Sequence, residues 1–150
     1  TIFRSIQKLS VKHNIHFVLP LHPRTDKAII AVLDKDLSDE MDKNPLIKFL
    51  PPVSFLDIIK LENHCKMVMT DSGGVQKEAF FLKKPSIILR SETEWKEIVD
   101  EGAGIIVDAD EEKICDGFEH FYTGHKSINY PSLFGDGFAA EFICETLLNN

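Results

Sequence analysis

The chain is short of cysteine, of positive charge and of long apolar runs. Its three cysteines, Cys65, Cys115 and Cys144, are scattered with no C-x-x-C pair. That excludes a disulfide framework and fits free thiols in a reducing cytoplasm. Lys and Arg number 17 against 24 Asp and Glu, a formal net charge of −7. Such a balance argues against a general role on nucleic acid or on a membrane surface, since either asks for a basic face. No apolar stretch approaches the roughly 20 residues that span a bilayer, and no signal peptide appears. The histidines at 13, 16, 22, 64, 120 and 125 form no metal-ligand motif, so neither a metal nor a cofactor is expected. A Walker loop and a G-x-S-x-G elbow are missing as well.

What is present is one domain of 150 residues, long enough to bury a real core. It opens inside an amphipathic pattern at Thr1, which reads as a piece cut from a longer protein. Ile2, Phe3, Ile6 and Leu9 recur at helical spacing, so residues 1–12 read as a helix. "IHFVLPLHPR" reads as a strand ended by prolines, "DKAIIAVLDKDL" as a helix, and "LIKFLPP" as a short strand. Ser54 is placed to cap the helix "FLDIIKLENHC". "KMVMT" follows as a strand, "GGVQKEAFFLKK" as a helix ended by Pro85, and "SIILR" as a strand. "TEWKEIVDEG" is then a helix, "GIIV" a strand, and "DADEEKICDGFEHFY" a helix with acids in its first turn. A loop at about 123–136 leads to a final amphipathic helix, "GFAAEFICETLL". Strands alternating with helices, several of them continuous apolar runs, predict an α/β domain with a doubly wound parallel sheet.

Glycine is scarce too, eight in all, yet two stand together at Gly73-Gly74 where a strand passes into a helix. One reading is a tight structural turn. The other is a backbone opened so that a diphosphate can lie against the unsatisfied N–H groups of a helix start, with the Ser72 hydroxyl as a further donor. Glu78, four residues beyond Gly74 on the same face, suits a pair of hydroxyls such as a ribose diol, or is merely solvated. The residues alone leave both readings standing. His22-Pro23-Arg24-Thr25 and Arg90-Ser91-Glu92-Thr93-Glu94-Trp95 also fall at expected carboxyl ends of strands, where open α/β sheets bind ligands. Arg24 and Arg90 are candidates for an anion, against the plainer reading of surface ion pairs. Thr93 is placed to cap the helix after it. "GDGFAA" at 135–140 fits G-x-G-x-x-A, but no strand precedes it. Ser72 has no general base placed by spacing, which argues against a nucleophile.

"HPRT", "TDSGGVQKEA", "KPSIILRSETEW" and "GDGFAA" occur in this order over nearly the whole chain. Together they resemble the C-terminal half of non-hydrolysing UDP-N-acetylglucosamine 2-epimerases and of relatives acting on other UDP-2-acetamido sugars. The resemblance implies the second Rossmann-like half of a glycosyltransferase-B-type fold, a C-terminal nucleotide-sugar-binding domain over residues 1–150. Ser72, Gly73 and Gly74 would bind the diphosphate and Glu78 the ribose hydroxyls, with Arg90 a further candidate contact for UDP. "PPVSFLDIIKL" matches the uracil-binding region. Ile58 stands where the family often has an aromatic ring, and Phe55 lies one turn earlier on the same face. His22 matches a position that in some bacterial members contacts a second, activating UDP-sugar.

The implied reaction inverts C2 of the sugar. UDP is eliminated to leave a 2-acetamidoglucal, which is re-protonated and rejoined to UDP. The acids that move the C2 proton lie in the N-terminal half, with an arginine toward the phosphates, and a His-Arg motif precedes the first helix. The expectation is therefore a UDP-binding piece with no catalytic residue of its own, taken from a cytoplasmic, homodimeric epimerase of polysaccharide biosynthesis. Two alternatives stand beside it: a UDP-sugar-dependent glycosyltransferase of the same fold, and a non-catalytic nucleotide-sugar sensor.

Overall fold

The computed structural model describes residues 1–21, 34–124 and 127–149. Five strands, all in parallel pairings, alternate with helices along the described chain. Helix α1 (Ile2–His13) leads into β1 (Phe17–Pro20). Next come α2 (Lys35–Lys43), β2 (Ile47–Leu50), α3 (Phe55–His64) and β3 (Val68–Thr70). Then α4 (Gly73–Phe81), β4 (Ser86–Ile88), α5 (Lys96–Asp100) and β5 (Gly104–Ile106) follow. Helices α6 (Glu111–Thr123) and α7 (Ala139–Leu148) close the chain. β1 pairs with β2, Phe17 opposite Ile47, while β3, β4 and β5 form a three-stranded sheet in that order. Val68, Ser86 and Gly104 stand side by side in its register.

The strands are short, and β4 is buried throughout. Ile87 joins Leu9 of α1, Val107, and Ile114 and Phe118 of α6 in one core cluster. Ser86 and Ile88 point the other way, as the two-residue period of a strand requires. There they surround the space above Gly104 together with Ile98 of α5. A Cβ at Gly104 would come 3.2 Å from both Ile88 and Ile98, so this glycine lets the helix close onto the sheet. On that face Phe80 of α4, Ile98 and Ala103 make a second cluster, covered by Trp95, Ile128, Tyr130, Leu133 and Phe134. Helices thus cover both faces of the sheet, the doubly wound arrangement expected. Phe17 packs into the Ile87 cluster and also into a third one around Ile6, Met41 and Ile47, which joins β1 and β2 to the same core.

Several details depart from the expectation. The helix expected over 26–37 lies mostly outside the described residues, and Asp34 is not in its interior. The Asp34 carboxylate instead caps α2 by accepting from the Asp36 N–H, and Met41 anchors that helix as its buried residue. The helix at Gly73 stops at Phe81 rather than running to Pro85. Lys83 takes a left-handed φ of 57° ahead of Lys84, whose helical conformation the following proline disfavours. The last helix forms where expected, but none of its residues is buried, and Phe142, Ile143, Leu147 and Leu148 are exposed. The cap at Ser54 is as expected, its side chain accepting from the Asp57 N–H, whereas Asp110, expected inside the helix over 108–122, caps it by accepting from the Lys113 N–H.

The core assignment gives a contrast that equilibrium urea denaturation can check. Ile87→Ala, at a fully enclosed site, should lose about 2–5 kcal/mol. Val11→Ala on the exposed face of α1 should stay within about 0.5 kcal/mol of the parent.

Candidate functional site

The carboxyl ends of β3 and β4 bring the Ser72 and Arg90 segments together. After Thr70 the chain turns through Asp71, and the Ser72 N–H donates to Thr70 Oγ1 at 3.0 Å. Ser72 is the N-cap of α4, its Oγ accepting from the Val75 N–H at 3.5 Å. The N–H groups of Gly73 and Gly74 fall in the first turn, where a helix has no acceptors of its own.

The two glycines are there for different reasons. Left-handed φ values occur at Gly102, Gly135 and Gly137, but at neither Gly73 nor Gly74. A turn that only glycine can make is therefore not the explanation. Gly73 is crowded: a Cβ there would overlap the Glu94 carboxylate and lie 3.3 Å from Trp95 Nε1. Gly74 is open, with Ser72 Oγ at 3.8 Å the nearest atom to such a Cβ. Nothing within the described chain requires Gly74 to lack a side chain.

The segment after β4 folds over this helix start. Trp95 Nε1 donates to the Gly73 carbonyl at 2.9 Å. Thr93 Oγ1 donates to Gln76 Oε1 at 2.6 Å, with both residues buried. Thr93 does not cap α5, as the sequence suggested. Its hydroxyl accepts instead from the Trp95 N–H at 3.1 Å, and α5 starts only at Lys96 without a side-chain cap. Arg90 NH1 lies 2.8 Å from Glu94 Oε2, and both side chains are partly exposed. The Lys77 ammonium stands 4.4 Å from the Trp95 ring centre and 4.5 Å from that of Phe134, held by both aromatic faces.

Glu78 is half-buried, one turn into α4. Behind it on α3 lies Glu62, whose carboxyl is pushed up to about 7 by burial first and by the Glu78 charge second. Phe55 and Ile58 occupy the first turn of α3, the helix that packs on α4. The Phe55 ring is 64% exposed, and Ile58 is half-buried. His22 and Arg24 lie outside the described residues. Hollows of about 520 Å³ along α1 and α2 and of about 660 Å³ along residues 134–145 are lined by neither Ser72, Gly73, Gly74 nor Glu78. The candidate site is an open shelf instead.

Chemically, such a shelf suits an anion and a diol. Backbone donors, the positive end of a helix and a guanidinium converge from one side, and a carboxylate stands one turn behind. Among the described residues no three His, Cys, Asp or Glu are grouped to hold a metal ion, and no helix is long and apolar enough to cross a membrane. Sequence reasoning missed Gln76 and Glu62. Both sit on apolar stripes of their helices, Gln76 with Ala79 and Phe80, Glu62 with Ile58 and Ile59, and a polar residue on such a stripe is the signal that marks them.

A family model described as UDP-N-acetylglucosamine 2-epimerase matches residues 1–148. A UDP-N-acetylglucosamine 2-epimerase homolog of Methanococcus maripaludis is 41% identical over 93% of this chain and 38% of its own length. The UDP-2,3-diacetamido-2,3-dideoxy-D-glucuronate 2-epimerase of Pseudomonas aeruginosa is 38% identical over 87% of this chain and 34% of its own. Among solved structures, the Methanocaldococcus jannaschii UDP-GlcNAc 2-epimerase in complex with UDP-GlcNAc and UDP superposes with a TM-score of 0.85 at 34% identity. That match covers 99% of this chain and 40% of the solved one.

The clasp between Thr93 and Gln76 makes its own prediction. Thr93→Val removes the hydroxyl and leaves the buried Gln76 amide without a partner, so stability should fall by about 1–3 kcal/mol in urea titrations. Thr93→Ser keeps the hydroxyl and should recover most of that loss.

Proposed function

The chain belongs to the UDP-N-acetylglucosamine 2-epimerase family, and from that premise we propose that it is the UDP-binding, C-terminal portion of an enzyme that inverts C2 of a UDP-2-acetamido sugar. The chain spans 38% of the length of the M. maripaludis relative and 40% of the solved M. jannaschii chain. The proposed reaction is therefore that of a longer protein, a cytoplasmic homodimer serving polysaccharide synthesis. Residues 1–150 supply the grip on the leaving group, and the acids that move the C2 proton belong to the other half.

The observation that carries this reading is Gly74. Neither its conformation nor its packing asks for glycine, and it sits at a helix start beside a capping serine. A diphosphate lying against that backbone accounts for the missing side chain. Ser72, Gly73 and Gly74 take the diphosphate in this reading, and Arg90 joins once it leaves Glu94. Glu78 accepts the two ribose hydroxyls. Phe55 and Ile58 flank the uracil, with the exposed Phe55 ring available to stack. His22 is retained as a contact for a second nucleotide-sugar.

Two variants separate the roles. Gly74→Ala should fold at least as stably as the parent, because alanine favours the helix by roughly 0.5–1 kcal/mol. It should nonetheless weaken UDP and inorganic pyrophosphate alike in calorimetric or ligand-observed NMR titrations. Glu78→Ala should weaken UDP by roughly tenfold or more and spare pyrophosphate, since hydrogen bonds to a charged acceptor are worth about 1.5–3 kcal/mol. Unchanged UDP affinity in both variants, or no UDP binding by the parent chain at millimolar concentration, would remove the site assignment.

A further inference from the structure

Glu62 is the one ionisable residue among the buried residues described, 5% exposed, with both carboxyl oxygens closed to water and neither hydrogen-bonded. It lies on the apolar stripe of α3, where a leucine would pack at no electrostatic cost. Helix α3 packs on α4, and the charge that α4 presents to it is Glu78. Among the described residues no cation compensates. Lys60 pairs with Asp57 at 3.7 Å on the exposed side of α3, and His64 Nδ1 is bound to the Lys60 carbonyl. The Cys65 thiol donates to the Glu62 carbonyl oxygen at 3.1 Å, and Lys84 acts on that thiol rather than on Glu62.

We propose that Glu62 is a positioning residue for the carboxylate of Glu78: packed behind it as a neutral acid, it leaves Glu78 the one anion among the described residues there, and ionisation of Glu62 drives Glu78 away from a bound diol. This rests on the reading that Glu78 accepts the ribose hydroxyls. Two carboxylates so placed cannot both ionise without repulsion. The proton stays on the more buried member, Glu62, and the half-exposed Glu78 keeps its charge and its acceptor lone pairs. Once Glu62 also ionises, repulsion turns Glu78 toward water and removes an acceptor from the diol. Burial and the neighbouring charge hold the Glu62 carboxyl up to about 7, so the change falls within the neutral range. Nucleotide and proton therefore favour one another, and by reciprocity a bound nucleotide raises the midpoint of Glu62.

The test is the binding of UDP-GlcNAc to the chain between pH 6 and 8.5. Its doubly esterified diphosphate does not titrate there, unlike a terminal phosphate. The parent should lose affinity about fivefold as pH rises, whereas Glu62→Gln, which cannot ionise, should keep the low-pH affinity throughout. Superimposable profiles for the two proteins would overturn the proposal. Carbon-13 NMR of the Glu62 carboxyl in the parent needs no variant: its midpoint should move up when UDP-GlcNAc is added, and an unmoved midpoint would also overturn it. Binding that depends on Glu78 yet shows a flat pH profile removes the role of Glu62 alone. Absence of UDP-GlcNAc binding at every pH, or indifference to Glu78→Ala, removes the site reading and this proposal with it.

Discussion

Everything at the candidate site hangs on how the segment after β4 grips the first turn of α4. Three attachments meet within a few residues: Trp95 Nε1 on the Gly73 carbonyl, Thr93 on Gln76, and the Glu94 side chain over the Cα of Gly73. The second of these is buried, and a buried hydrogen bond strongly specifies geometry because the unpaired alternative is costly. The clasp places two strand ends, β3 and β4, at a set separation. It also sets Trp95 where Lys77 and Phe134 can pack on it. Phe134 in turn meets Phe80 and Phe81, so the chain beyond α6 is held to the same helix that starts at Gly73. A change at Gln76 would reach Phe134 through Thr93 and Trp95 without touching it.

The same clasp bears on electrostatics. An acidic chain has to bind a diphosphate through local donors, because its overall field is unfavourable. Arg90 is not idle but paired with Glu94, and Glu94 lies against Gly73. A partly exposed ion pair of this kind contributes only about 0–1 kcal/mol. Under the proposed reading, exchanging the Glu94 carboxylate for a ligand phosphate on Arg90 therefore costs little. Glu94 is then a resident anion that keeps the guanidinium near the edge, and its side chain is flexible enough to leave. Trp95 and Thr93 stay put through that exchange, because their bonds run to the protein and not to Arg90.

Much of the fold was legible from residue pattern, and the failures have identifiable physical origins. The apolar runs of β2 to β5 and the capping residue Ser54 were readable because each depends on local chemistry. Element ends were less so. Thr93 has the residue type and position of a helix cap, yet a buried glutamine 17 residues earlier in the chain takes its hydroxyl. Local spacing carries no information about such a partner. The final helix reads as amphipathic, and its periodicity is real. Whether its apolar side is covered depends on what packs there, and in the described chain Phe142 and Leu147 remain exposed. Glu62 was passed over for a similar reason. In sequence it is one acid among 24 Asp and Glu, and only the packing of α3 on α4 makes it a buried one.

The double glycine shows where pattern stops being sufficient. As a dipeptide it supports two readings, and both assume a single cause for the pair. The structure separates them. Gly73 is crowded from within, since the Glu94 carboxylate lies in the volume a side chain would take and the Trp95 indole lies beside it. Gly74 is required by nothing within the described residues, and its backbone is open. Conformational freedom explains neither, because both φ angles are ones any L-residue adopts. A structural turn would have predicted a left-handed angle at one of them, and a purely ligand-driven pair would have predicted open space at both. The observed mixture makes Gly73 part of the clasp that builds the shelf and leaves Gly74 as the surface of the shelf itself. Of the pair, Gly74 is the glycine that folding alone does not explain, and a bound diphosphate accounts for it.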